Sequence, residues 1–194
     1  MRGQAHTLEA FVAAMLIVGG LIFATQATAV TPLSASTSNQ HIENQQQASI
    51  EGLLATAAEN GELQAAVLYW DPEDGEFDGV PEQGTYAHGP PNEFGHALND
   101  SLLERQIAFN VDVRYAEPDG TSDTERVVEM GQPSNNAVTA TWTVSLYESS
   151  TLSSSNNEGE RLGGLPDGEF YADNIDADSE LYTVVEVEVT AWRK

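Results

Sequence analysis

The chain has no cysteine. That excludes a disulfide scaffold, a thiolate nucleophile and any Cys-based metal site. Basic residues are scarce: 7 Lys+Arg stand against 31 Asp+Glu in 194 residues, a net charge of −24. A surface of that sign repels nucleic acid and anionic headgroups, which excludes nucleic-acid partners. It also repels copies of itself at low salt. Near 1 M salt the Debye length falls to ~3 Å and the repulsion is screened, so the composition is that of a salt-adapted protein. Chemical motifs are missing too. There is no HExxH, no paired-histidine spacing, no Gly-rich phosphate loop and no G-x-S-x-G. His6, His41, His88 and His96 are isolated, no internal repeat is visible, and neither an enzymatic activity nor a cofactor is read from the sequence.

Charge is absent altogether from one stretch. Between Ala10 and Ile42 there is no Asp, Glu, Lys or Arg, and Ala10 to Ala24 reads AFVAAMLIVGGLIFA. A helix needs about 20 apolar residues to cross a bilayer, and Phe11 to Val30 supplies them. The sequence therefore predicts a cytoplasmic tip at 1–9 and a transmembrane helix at 10–30. Arg2 is the basic residue beside this run. The positive-inside rule then predicts a single-pass signal anchor in the lipid bilayer of the cell membrane, with the N-terminus cytoplasmic and the acidic domain extracellular. A cleaved secretory peptide is the alternative, since Ala24-Thr25-Gln26-Ala27-Thr28-Ala29 offers small residues for cleavage. Glu9 argues against it. A carboxylate there suits a helix N-terminus, where the macrodipole favours an anion by ~0.3–1 kcal/mol.

Arg2-Gly3, a short polar stretch, Thr7-Leu8-Glu9 and the apolar helix together resemble the leader and helix start of the type IV pilin-like and pseudopilin superfamily. The string RGQAHTLEAFVAAMLIVGG and the following QATAVTPLSASTSNQHIENQQ resemble most an uncharacterised haloarchaeal family of pilin-like membrane proteins. The resemblance implies cleavage between Gly3 and Gln4 by a prepilin peptidase. It implies that Glu9 is the helix-start carboxylate that neutralises a neighbouring subunit's amino group during assembly. It also implies other pilin-like subunits and a membrane assembly platform as partners.

Thr31-Pro32 predicts an end or kink in the helix. Helical spacing resumes at Ile42, Gln46, Ile50, Leu53-Leu54 and Ala57-Ala58, which predicts a stem helix within 31–60. Ile42, Ile50 and Leu54 form its expected packing face, and Asn60-Gly61 its C-cap. Helical turns are predicted to continue over 62–70. Asp71 to Pro91 reads as a long loop, and Asn92 as the cap of a helix running through Arg105. Strict alternation then marks strands at 107–115 and 138–146, with a return strand at 124–130 and a last strand at 181–192. On the first, Asn110, Asp112 and Arg114 are expected to face water. Residues 148–180 read as a Ser-, Asn- and Gly-rich insertion, mostly loop. The expected fold class is α+β: the transmembrane helix continues into the stem helix, which packs on an antiparallel sheet of three to four strands. Residues 61–194 form the acidic α+β domain.

Asp71, Asp74 and Asp78 beside Gly75 and Gly79 could offer oxygens to Ca²⁺. In so acidic a chain, solvated loop charge is the commoner origin of such a cluster, and the same holds for Asp173, Asp176, Asp178 and Glu180. Asn99-Asp100-Ser101 is a glycosylation sequon. Trp70, Trp142 and Trp192 could line a sugar site, although packing is the commoner role. The expected function is a structural pilin-like or pseudopilin-like subunit, not an enzyme, displaying an acidic domain outside the cell. The alternative is a solitary membrane-anchored binding module for a protein, glycan or divalent cation.

Overall fold

The computed structural model describes the backbone of residues 2–81 and 84–193, and the side chains of 11–22, 40–81 and 84–193. The chain divides into two compact units, Met1–Glu43 and Asn44–Lys194. Helix α1 (Arg2–Glu59) contributes residues to both, and it runs without a break past Thr31-Pro32, where an end or kink was expected. A proline inside a helix removes one backbone hydrogen bond and crowds the turn before it, yet the helix continues through Pro32.

The expected membrane span is corrected: among the described residues no helix is long and apolar enough to cross a membrane. The apolar stretch with described side chains runs from Phe11 to Ile22. The side chains of 10 and 23–30, also part of the expected span, lie outside the described residues. With the span go the expectations built on it. These are the transmembrane part of the fold class, the signal anchor, and the single-pass placement with a cytoplasmic N-terminus and an extracellular domain.

The second unit is rich in sheet. From α1 it takes Ile50, Leu54 and Ala57, all buried in the core. Each large apolar side chain buried this way contributes roughly 1.5–3 kcal/mol. Ile42, expected on the same face, is 47% exposed. Gly61 follows with φ 77°, the left-handed conformation in which glycine ends a helix without steric cost. Helix α2 (Glu62–Val67) stops earlier than expected, because Trp70 belongs to a short hairpin of β1 (Trp70–Asp71) and β2 (Glu76–Phe77). Asn92 caps α3 (Glu93–Ser101), its Oδ1 accepting from the Gly95 N–H at 2.9 Å. The last turn expected of this helix is instead a 3-10 turn at Leu103–Arg105.

Four long strands follow: β3 (Ile107–Ala116), β4 (Ser122–Glu129), β5 (Val138–Tyr147) and β6 (Leu181–Arg193). They form an antiparallel sheet in the order β4-β3-β6-β5. The register stacks apolar on apolar, with Val111 opposite Val189, Val113 opposite Val187, and Val144 opposite Val185. A one-residue slip would turn all of these toward water, so the alternation fixes the pairing. Asn110 departs from the expected pattern and is buried. Its Nδ2 donates to the Gly131 carbonyl (3.1 Å) and its Oδ1 accepts from the Met130 N–H (2.8 Å), which holds the chain leaving β4.

The insertion is more ordered than its composition suggests. Leu152, Leu162, Phe170 and Ala172 are buried within the core region. Tyr171 lies at the centre of a ring cluster, 4.1 Å from Phe170, 5.3 Å from Trp70, 5.4 Å from Tyr115 and 5.6 Å from Phe77. Its hydroxyl donates to the Val67 carbonyl at 3.0 Å, and Trp70 Nε1 donates to the Glu169 carbonyl at 2.8 Å. The aromatic residues thereby bury their rings with their polar ends satisfied.

One backbone contact fixes α3. A Cβ on Gly95 would lie 1.9 Å from the Pro90 carbonyl oxygen, and one on Gly89 would lie 2.2 Å from the Gly95 carbonyl oxygen. Both obstacles are backbone, so no side chain can swing away. Gly95→Ala is therefore expected to destabilise the domain by about 1–3 kcal/mol or more, the cost of overpacking. Gly52→Ala, whose Cβ meets nothing within 4 Å, serves as the control. Denaturant midpoints of the two variants check this.

Candidate assembly surface

In the first unit, the feature that stands out among the described residues is exposed apolar side chain. Phe11, Met15, Leu16, Ile17 and Leu21 are 62–72% exposed, and Val12, Val18 and Ile22 are exposed as well. At ~3.6 residues per turn these positions surround the helix axis instead of marking one stripe. A helix that is apolar all round belongs in an apolar interior, not on a wet surface. Gly19 and Gly20 add room for close approach, since a Cβ on either meets nothing within 4 Å. The side chains of Gln4 and Glu9, like the rest of 2–10 and with them the Gly3-Gln4 junction, lie outside the described residues.

The second unit brings together residues that the sequence reading treated separately. Asp71 is buried. Its carboxylate accepts from Asn156 Nδ2 (3.0 Å), Asn157 Nδ2 (3.1 Å) and the Glu73 N–H (3.0 Å). The Asp78 carboxylate accepts from both the backbone N–H and the hydroxyl of Ser155, each at 2.6 Å. Asp74 is exposed on the turn between them. Two of the three carboxylates that could have offered oxygens to a cation thus clip the insertion to the β1–β2 hairpin. Among the described residues no three His, Cys, Asp or Glu gather where they could hold a metal ion. Ser155, Asn156 and Asn157 were missed at the sequence level. They lie in a Ser/Asn run that looks like linker, and the carboxylates they serve are 77 to 86 residues away.

The sequon residue Asn99 sits in α3, where its Oδ1 accepts from the Gly89 N–H at 3.0 Å. It helps hold the Gly89-Pro90 segment against the helix. The tryptophans are separated by role: Trp70 lies in the ring cluster, Trp192 is buried opposite Ala108, and Trp142 is 37% exposed on β5. His88 Nδ1 lies 3.0 Å from its neighbour's carbonyl, on Gly89. A shallow depression of about 390 Å³ is lined by Glu148, Ser149, Arg161, Gly163, Gly164 and Glu180. It offers two carboxylates, one guanidinium and the Ser149 hydroxyl, a polar surface.

The solvent face of the sheet carries a charge ladder. Arg126 pairs with Asp112 (2.7 Å) and Glu129 (3.3 Å), and Arg114 with Glu188 (2.9 Å) and Glu186 (3.9 Å). Each exposed pair is worth at most about 1 kcal/mol. Their use is to place the scarce arginines between carboxylates that would otherwise repel across strands.

Burial pushes the Asp71 carboxyl up, but hydrogen bonds from Asn156, from the backbone at Glu73 and Asp74, and from Asn157 outweigh it and hold the group below its ordinary value. A carboxyl depressed on folding stabilises the fold above its unfolded value, about 3.9. That contribution is lost as pH falls from there through the folded value. Asp71→Asn replaces an accepting oxygen with a donor facing an asparagine amide. The expected loss is about 1–3 kcal/mol at neutral pH, shrinking below roughly pH 4. Urea titrations of both proteins across pH 2–7 check the sign and the window.

The comparisons with known proteins add a family. No curated protein and no solved structure matches the chain. A family model does match, over residues 2–191, which takes in α1, the sheet and the insertion between its last two strands. The chain belongs to DUF7288, a family of unknown function.

Proposed function

We propose that this protein is a structural subunit that assembles with copies of itself through the apolar part of α1, each copy carrying an acidic α+β domain. The observation that carries this reading is the all-round exposure of Phe11 to Ile22. A dimer contact covers one face of a helix and leaves the other wet. An apolar surface on every side requires several neighbouring helices, as in the core of a bundle or filament. The neighbours are copies of the same chain, because each brings the same uncharged stretch with small residues for close approach. The resemblance of the first residues to pilin-like subunits supports the same reading. It makes Gly3-Gln4 the processing point and Glu9 the partner of a neighbour's amino group.

Charge sets the conditions. Copies at −24 each repel, and salt shortens the range of that repulsion from ~10 Å at 0.1 M to ~3 Å at 1 M. In roughly 2 M KCl the full chain is expected to sediment far above its 20.9 kDa monomer and to form particles of uniform width in electron micrographs. Assembly should weaken in 0.1 M salt. Leu16→Glu with Leu21→Glu should return the protein to monomer. A wild-type chain that stays monomeric in high salt, or a double variant that assembles unchanged, would sink the proposal.

A further inference from the structure

The two edges of the long sheet are built differently. β4 carries Asp123, Glu125, Arg126 and Glu129, and its pairing with β3 shifts register between Val111 and Asp112. Charge and irregularity of this kind keep an edge strand from pairing with other chains. β5 has neither protection over most of its length. Residues 131–147 contain no Asp, Glu, Lys or Arg, and the register with β6 is regular until Leu146/Tyr147. Among the described residues, 138–146 make backbone hydrogen bonds to β6 and to no other segment, so the outward edge of β5 has no backbone partner among them. Trp142 points to the same side of the sheet as the buried Ala140 and Val144, yet it is 37% exposed, and among the described residues no strand lies beyond β5.

We propose that β5 is a pairing edge for β5 of a second copy, antiparallel about a two-fold axis at Trp142. The sequence Val138-Thr-Ala-Thr-Trp142-Thr-Val-Ser-Leu146 is close to a palindrome about that residue. Pairing it with itself sets Thr141 opposite Thr143, Ala140 opposite Val144, Thr139 opposite Ser145 and Val138 opposite Leu146. Every pair is like with like, hydroxyl on the outer face and apolar on the inner. The two Trp142 rings cover each other where each copy alone leaves the ring wet. Elsewhere the copies repel, but here uncharged strand meets uncharged strand. The nearest carboxylates on the neighbouring strand, Glu186 and Glu188, would stand three strand spacings from their counterparts, roughly 14 Å. That exceeds the ~8–10 Å Debye length at ordinary salt, and Arg114 already pairs with both. The contact is independent of α1.

The cysteine-free chain makes the register readable by oxidation. An equimolar mixture of Thr141→Cys and Thr143→Cys proteins is expected to form a mixed disulfide dimer about tenfold faster than either alone, since opposed residues lie ~5 Å apart and others farther. Trp142→Cys should crosslink to itself, and Thr139→Cys should not. Thr141 and Thr143 are exposed, so those variants retain the fold even if Trp142→Cys does not. All are made in the full chain carrying Leu16→Glu and Leu21→Glu. The crosslinking pattern then succeeds or fails apart from α1 assembly. Absence of crosslinks, equal rates at every position, or a peak away from 142 would overturn the two-fold pairing.

Discussion

Self-repulsion is the constraint on which the rest of this molecule turns. Thirty-one carboxyl side chains share a chain with seven basic ones. The fold answers locally and with few groups. Arg114 and Arg126 sit between carboxylates on the sheet face, and the Asp71 and Asp78 carboxylates accept hydrogen bonds from amide and hydroxyl donors of the insertion. What remains uncharged is then conspicuous: the turns of α1 around Phe11–Ile22 and the outer strand β5. Both are places where a copy can approach without bringing carboxylate against carboxylate.

Much of the sheet was legible because period-two alternation carries its own register. Val185, Val187 and Val189 point inward with Glu186 and Glu188 outward, as the pattern says they must. The caps at Asn92 and Gly61 were legible for the same reason, since each is a local conformational requirement met by a local residue type. Failures came where a distant partner decides. Nothing near Asn110 announces that Gly131 and Met130 will occupy its amide, and nothing near Ser155 announces Asp78. Ile42 kept the right spacing but lies about two turns before Ile50, the first buried residue of α1, and spacing alone does not say where cover stops.

The candidate site was legible as a composition and misread as a destination. An uncharged run of the right length for a bilayer predicts a span, yet among the described residues no helix is long and apolar enough to cross one. The same residues, exposed around the whole helix axis, still demand an apolar environment. The acidic cluster was weighed between solvated loop charge, the favoured reading, and a cation site. Asp71 and Asp78 are close in sequence and similar in type, which suggests a shared ligand. Each instead faces its own neutral donors, and the loop between residues 152 and 160 is the thing they bind.

The order of strands has a consequence for how the chain is made. β6 lies between β3 and β5, although it is the last of the four to leave the ribosome. Until residues 181–193 have been synthesised, β3 and β4 can close as a local hairpin, but β5 has no strand to pair with. Its apolar residues wait through the whole insertion for their partner. Folding of this domain is therefore dominated by long-range closure, which is slow and leaves strand edges bare while it proceeds. The hydroxyl-rich, proline-poor β5 is the segment exposed longest in that interval. High salt, which quiets repulsion in the finished protein, also removes the charge barrier between nascent chains.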